Sequence, residues 1–380
     1  MPSITEELRV HTVDSARRLR DFLDLPATLY SSDPQWIEPL KIEQKQRYSA
    51  KNPFFEHARW RAWVAYRGTR PVGRISAQID ELQLRIHQNA TGHFGSLEAE
   101  QDPAVFTRLF DAASEWLRSE GMQRVTGPFN LSVNEECGAL IEGFDTPPCV
   151  MMGHGQPWYG ENIENQGFKK AKDLLAYWIS PDFTSPKVMV ALAQRASSRV
   201  HVRPLNRKAL KQELVILRNI FNDAWSENWG FVPFTEVEFN EIGKAMTLLL
   251  DDDFVQIAEV DGEPAAMVVA LPNINEAISD LQGRLLPFGW AKLLWRLKVN
   301  FPATARVPLL GVLKKYQHSR LGPTLAFMII DAVRHGLSRK GVTGVELSWV
   351  LEDNAGMCNI IESIGGVAYK RYRLYEKRLA

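Results

Sequence analysis

Residues 305–336, ARVPLLGVLKKYQHSRLGPTLAFMIIDAVRHG, read as a strand, a polar loop and a helix. That order can hold a diphosphate. A helix N-terminus offers unpaired backbone N–H groups and the positive end of a dipole, and a tight loop before it aims further N–H groups at the same point. The residues in position are Gln317, His318, Ser319, Arg320, Leu321, Gly322, Pro323 and Thr324. Gly322 admits a close approach of backbone to ligand. Pro323 suits the first helical turn, where a missing N–H costs little. Arg320 can supply a guanidinium to phosphate. The plain alternative is a loop that only joins strand to helix.

Two further groups could do chemistry. ELSWVLEDN (346–354) reads as a strand whose alternation puts Glu346 and Ser348 on one face. Glu346 is a candidate general base, with Glu352, Asp353 and Glu259 behind it, and Tyr372 (flanked by Tyr369 and Tyr375) is a candidate proton donor. The long loop 127–160 is rich in glycine and proline and carries Asn130, Asn134, Glu135, Glu136, Asp145, His154, Trp158 and Tyr159. Long loops with polar and aromatic residues are often binding loops. Asn134, Glu135, Glu136, His154, Trp158 and Tyr159 are therefore expected at a substrate, the alternative being a packing loop.

Composition narrows the classes. The 380 residues are 45% hydrophobic and 24% charged, and Lys+Arg and Asp+Glu are both 45. That balance argues against a strongly basic nucleic-acid binder. No apolar stretch is long enough to span a membrane, and the start, MPSITEELRVHTVDSARRLRDF, lacks an apolar signal region, so a cytoplasmic location is expected. Cys137, Cys149 and Cys358 form no CxxC pair, and the eight histidines form no HExxH, so no metal site is expected.

The elements that must position these groups occur twice. WRAWVAYRGTRPVGRISAQID (60–80) and FVQIAEVDGEPAAMVVAL (254–271) each read as a β-hairpin, and Ala65 to Pro71 has the same spacing as Ala258 to Pro264. The helices 109–125 and 329–345 share an offset series ending at Gly121 and Gly341, followed after the same interval by Asn134 and Asn354. The series marks a diverged internal repeat of mixed α/β units. KVMVALAQRA (187–196) reads as a connecting helix. Segment 274–302 has no counterpart; its helix WAKLLWRLK puts Trp290, Leu293, Leu294 and Leu297 on one side. A cover helix on the core is the first reading, a pocket lid the second and a membrane-surface helix the third, since its basic residues are few.

The second half resembles the GNAT superfamily of N-acetyltransferases. The strand–loop–helix at 305–336 matches its motif A, with the hairpin before it, ELSWVLEDN after it, and the family's interval from Asn354 to Gly365. The resemblance covers 200–380 well, and 8–180 through the repeat. It implies two tandem units, 1–185 and 186–380, each a mixed, mostly antiparallel sheet flanked by helices. It implies acetyl-CoA or another acyl-CoA as donor, with the pantetheine pairing along Leu310, Gly311 and Val312, the pyrophosphate in the 317–324 loop, and Asn354 at the coenzyme. The first unit carries Glu98, Glu100, Gln101 and Asp102 where phosphates would lie, and no coenzyme is expected there.

The implied reaction is N-acyl transfer, foremost N-acetyl transfer, to a small-molecule or peptide amine bound between the units. An amine of pKa about 10.4 must lose a proton to attack. The sequence departs from the family at Arg320, where a glycine is usual, and at Ile361, where many members carry a tyrosine acid. Both departures keep two rivals open: a binding protein that kept the fold, and an aminoacyl-type transferase with a different donor. Replacing Gly322 with a bulky residue is expected to abolish coenzyme binding; a thermal-shift titration with acetyl-CoA that gives the same affinity for the variant would remove the motif assignment.

Overall fold

The computed structural model describes residues 7–379, with backbone only for 245–249. The chain forms two units. Unit 1 takes the chain up to Leu174, residues 281–285 and the chain from Lys370; unit 2 takes Leu175–Asp280 and Leu286–Tyr369. The sequence reading put the division at 185/186. The difference is that the chain's last strand joins unit 1, while residues 175–185 already belong to unit 2.

The first stretch of chain runs β1 (Leu8–Thr12), α1 (Ala16–Leu29), α2 (Lys41–Arg47), β2 (Ala58–Arg67), β3 (Arg70–Asp80), α3 (Glu81–His87), β4 (Thr91–Ala99), α4 (Pro103–Ser119), β5 (Arg124–Gly127), β6 (Phe129–Asn130), β7 (Glu136–Cys137), β8 (Ala139–Glu142), α5 (Tyr159–Asn165) and β9 (Lys169–Ile179). The second runs α6 (Lys187–Ala196), β10 (Val200–Pro204), α7 (Leu210–Ala224), α8 (Glu236–Leu249), β11 (Val255–Val260), β12 (Glu263–Pro272), α9 (Ile274–Ile278), α10 (Gly289–Lys298), β13 (Thr304–Val312), α11 (Lys314–Gln317), α12 (Leu321–Arg339), β14 (Gly344–Leu351), α13 (Ala355–Ser363) and β15 (Val367–Arg378).

In unit 1 the strands lie in the order β1-β2-β3-β4-β5-β15. Neighbours are antiparallel except β4 and β5. Those two are joined through α4, the crossover that a parallel pair requires. Asp102 caps α4 by accepting from the Ala104 N–H, and Pro103 follows at the first position. The helix buries Phe106, Leu109, Phe110, Ala113 and Leu117 at three- and four-residue spacing, in one core with Ile75, Ala77 and Phe94 from the sheet. Each buried Leu, Ile or Phe among these contributes about 1.5–3 kcal/mol.

Unit 2 repeats the plan, in the order β14-β13-β12-β11-β10. Again one pair, β13 and β14, is parallel, and α12 supplies the crossover. Asp261 and Gly262 both have positive φ, the tight hairpin turn that an Asp-Gly pair favours between β11 and β12. The buried stripe Leu325, Ala326, Ile329, Val333 and Leu337 turns α12 toward the sheet. The mixed, mostly antiparallel sheets flanked by helices, and the connecting helix 187–196, agree with the sequence reading.

One half-buried group in unit 1 ties stability to pH. His93 on β4 bonds the Thr126 hydroxyl through Nδ1 at 2.7 Å, and burial pulls its pKa down to about 4 from 6.5. The folded state therefore holds the ring neutral, while the unfolded chain binds a proton below pH 6.5. Stability from this group is complete above that value and is lost as pH falls toward 4, by about 2–3 kcal/mol. Urea unfolding at pH 7.0 and 4.5 is expected to show this loss, and His93→Gln is expected to flatten it; an equal slope in the variant would place the pH dependence elsewhere.

Candidate functional site

The parallel ladder of unit 2 is short. It pairs Thr304 with Gly344 through to Val307 with Leu347 and stops, although β13 continues to Val312 and β14 to Leu351. Beyond Val307, β13 still pairs with β12 on its other edge, Leu310 with Val268 and Gly311 with Met267. Its edge toward β14 is left with backbone groups outside any ladder. The two strands splay, and a cavity of about 130 Å³ lies there, walled by Val268, Val307, Leu310, Leu347, Trp349 and Ile361. Polar side chains also reach it, among them Ser348, Asn228 and Asn354. An apolar slot beside unladdered peptide groups suits a chain that is itself part amide and part hydrocarbon.

Beneath the splay sits a buried ion pair. Arg306 and Glu346 are register partners on β13 and β14, 1% and 0% exposed, with Nε 2.9 Å from Oε2. The guanidinium stacks 4.7 Å from the Trp349 ring and donates through Nη2 to the Ser348 hydroxyl at 3.1 Å. Glu346 is not among the cavity walls. The sequence reading made it a base open to an amine; the structure instead seals it against a fixed cation. Ser348 does line the cavity, and Arg306 fixes its oxygen. Arg306 and Trp349 were missed from the sequence, where Arg306 is one ordinary residue in an apolar strand.

The segment before α12 also departs from expectation. The polar loop is partly wound into the helical turn α11. Gln317 donates its amide to the carbonyls of Val312 and Ala224, so it ties the loop to the sheet and to α7. Ser319 donates to Tyr316 O and accepts from the Leu321 N–H, and the Gly322 N–H bonds Ser319 O. Thr324 donates to Arg320 O. A Cβ on Gly322 would lie 2.6 Å from Tyr316 O and 2.9 Å from Gln317 O, so the glycine serves the fold as well as any ligand. Gly311 likewise leaves room for Trp225. His318, Arg320 and Pro323 are exposed at the start of α12, a helix with no acidic residue in its first turn. Asn354 caps α13, accepting from the Met357 N–H at 3.1 Å.

The remaining candidates lie in unit 1. Tyr372 is fully buried and donates to Gly153 O at 3.0 Å. Its proton is committed to that carbonyl, which corrects its assignment as a proton donor. Glu135 and Glu136 face Arg47, at 3.5 and 2.9 Å, and Asn130 also donates to Glu136. Burial raises the Glu136 pKa, but the Arg47 charge overrides it and holds the carboxyl below its usual range. His154 bonds Asp33 at 2.8 Å, and Trp158 donates to Ala99 O. Tyr159 and Tyr30 both donate to Glu98, whose pKa burial raises. Asn134 sits in a turn, its N–H bonding the Ser132 hydroxyl. The loop 127–160 is thus stitched into unit 1 by hydrogen bonds that the sequence does not display.

Unit 1 has its own splay, and its own chain fills it. The β4–β5 ladder runs only from Thr91/Arg124 to His93/Thr126. Phe129 and Asn130 then enter the gap: Asn130 Oδ1 accepts from the Ser96 N–H at 2.7 Å, and Gln78 donates to the Phe129 and Leu131 carbonyls. A Cβ on Gly95 would lie 1.8 Å from Phe129 O, so only glycine permits this filling.

The ion pair of unit 2 is testable by itself. Glu346→Gln leaves the Arg306 charge buried and uncompensated, and is expected to destabilise by about 3–5 kcal/mol. Replacing both partners together, Arg306→Met with Glu346→Leu, is expected to restore most of that in urea unfolding; equal losses would show that the pairing is not what holds the strands.

No family model matches the sequence. Among curated proteins, Protein YghO of Escherichia coli K12 is 51% identical over 371 residues, covering 97% of this chain and 95% of that protein. Bacterial ceramide synthase of Caulobacter vibrioides is 48% identical over 380 residues, covering 99% of each. Among solved structures, a tandem GNAT protein from the clavulanic acid biosynthesis pathway superposes with a TM-score of 0.57 at 14% identity, covering 98% of this chain and 99% of that one. A GCN5-related N-acetyltransferase from Sphaerobacter thermophilus gives 0.54 at 11% identity, over 98% and 96% of the two chains. With full-length identity near one half to both curated relatives, the chain belongs to the family that includes Protein YghO and the bacterial ceramide synthase, and it has the fold of the tandem GNAT structures.

Proposed function

We propose that the protein is an acyl-CoA-dependent N-acyltransferase that joins a long-chain acyl group to the amine of a long-chain amino alcohol, a ceramide-forming reaction. The observation that carries the reading is the apolar cavity in the splay of β13 and β14. Its walls suit hydrocarbon better than a bare acetyl group. The name of the Caulobacter relative, nearly half identical along the whole chain, points to the same class of product.

The donor is held by three features of this chain. Leu310, Gly311 and Val312 offer the open edge of β13 to the pantetheine amides. The start of α12, with His318 and Arg320 exposed beside it, takes the pyrophosphate. The apolar walls take the acyl chain, each buried methylene adding about 0.8 kcal/mol. The amine nitrogen attacks the thioester carbonyl, a C–N bond forms, the C–S bond breaks, and the proton lost by the amine ends on the coenzyme A sulfur. Ser348 accepts from Arg306, so its own O–H is left to donate to the carbonyl oxygen as charge develops there. Arg306 and Glu346 act through Ser348 and Trp349 and are positioning residues. Ile361, buried on the cavity wall, gives the leaving thiolate no proton from that position. Ile361 also favours a second reading, a protein that holds acyl-CoA without turning it over.

One assay separates the readings. Purified protein is incubated with a long-chain amino diol and acyl-CoAs of increasing chain length, and the amide is read by mass spectrometry. The expected kcat/KM rises about fourfold per methylene until the cavity is full. Ser348→Ala is expected to lower kcat by about 10²-fold with little change in KM. Binding of acyl-CoA without any amide would favour the second reading, and acetyl-CoA as the best donor would overturn the long-chain assignment.

A further inference from the structure

Within the insertion between β12 and β13, α9 buries Ala277 and Ile278, but α10 does not cover a core. In α10 only Leu297 is buried. Leu286, Phe288, Trp290, Leu294, Trp295 and Val299 are 79%, 77%, 50%, 51%, 53% and 71% exposed, half of the exposed large hydrophobic residues in the described chain, gathered in fourteen consecutive positions. The cover-helix reading is thereby corrected. The helix is anchored through its charged residues: Arg296 donates to Ala277 O at 2.7 Å and pairs with Asp280, and Lys292 pairs with the same carboxylate. Asp280 is held well below the usual carboxylate range by hydrogen bonds from Arg296 and Lys292, so this anchor stays ionised. Trp290 and Leu294 stand one turn apart on the side of Leu297, and Trp295 and Val299 one turn apart on another side, so exposed apolar groups flank the helix on both.

A cluster of exposed apolar side chains of this kind marks an interaction site. Its composition selects the partner. Tryptophan and phenylalanine beside lysine and arginine suit the boundary between headgroups and acyl chains, where the rings sit at the interface and cationic side chains reach outward. From 281 to 302 the chain carries no carboxylate; Lys292 and Arg296 are paired with Asp280, and Arg284 and Lys298 leave the segment with an excess of positive charge that complements an anionic surface. No helix among the described residues is long and apolar enough to cross a membrane. A protein that draws a lipid amine from a bilayer, with no such helix among its described residues, meets that bilayer at its surface, a point that rests on the proposed function.

We propose that the 286–299 segment is an interfacial docking element that seats unit 2 on an anionic lipid bilayer, with Phe288, Trp290 and Trp295 entering the headgroup boundary. The insertion leaves from β12 and returns into β13, the strands that carry Val268 and Leu310 of the cavity wall, so docking places the donor unit at the surface where a lipid amine resides.

The test is flotation of the full chain with vesicles of phosphatidylcholine doped with phosphatidylglycerol. The protein is expected to float with them, and less with pure phosphatidylcholine or at high salt. The triple variant Phe288→Ser, Trp290→Ser, Trp295→Ser is expected to lose about tenfold or more in partitioning while still unfolding in one cooperative thermal transition, since all three side chains are at least half exposed. Wild-type protein that stays at the bottom, or a triple variant that floats as well, would overturn the proposal. So would wild-type protein that sediments as a dimer, fails to float and becomes monomeric in the variant, which would make a second copy the occupant. Amide synthesis is measured on the same preparations: flotation without amide keeps the docking element and removes the acyltransferase reading, and amide from protein that does not float does the reverse.

Discussion

A parallel pair of strands that pairs for only four residues organises unit 2. Backbone N–H and C=O groups must be satisfied when buried, so a strand edge released from its ladder inside a domain is costly unless something takes the partner's place. At β13 that edge opens on an apolar cavity, and a donor with amides along its length can complete it. The crossover helix α12 is part of the same constraint. Joining two parallel strands brings its N-terminus to the end of β13, which is where exposed His318 and Arg320 stand.

The two units show the two ways to resolve one geometry. In unit 1 the splay is closed by Phe129 and Asn130, with Gly95 making the room. The polar residues around it then bond one another: Glu98 with two tyrosines, Glu136 with Arg47 and Asn130. Such a network holds its members in single conformations and leaves few of them for chemistry. In unit 2 the splay stays open, and its polar groups are concentrated in one buried pair beneath it. A buried pair is weak as a source of stability and strong as a source of specificity of position. Arg306 fixes the serine oxygen and the indole of Trp349 at once, which a solvated arginine could not do.

An apolar slot and an apolar outer face have opposite relations to water. The slot excludes it and favours hydrocarbon, at a strength set by area. The face at 286–299 leaves indole and phenyl rings in water, a cost that only a partner surface relieves. Both suit the amphipathic substrates proposed above, and the segment that carries α10 leaves and re-enters the strands that wall the slot.

The repeated hairpins, the crossover helices and the connecting helix were legible because they rest on local pattern. Apolar periodicity, the Asp-Gly turn and glycines at helix ends are fixed by short-range sterics and so are written in adjacent residues. The start of α12 was legible for the same reason. What tertiary structure decided was partnership. Glu346 reads as a candidate base until Arg306, forty residues away in sequence, is found opposite it on the next strand. Gln317 reads as a phosphate ligand until its amide meets Val312 and Ala224. Tyr372 reads as an acid until its hydroxyl meets Gly153. Helix periodicity in 289–298 gave the apolar stripe, but which side faces protein depends on where Asp280 and Ala277 lie. Residue type sets what a side chain can do; the neighbours that folding brings to it set which of those things remain possible.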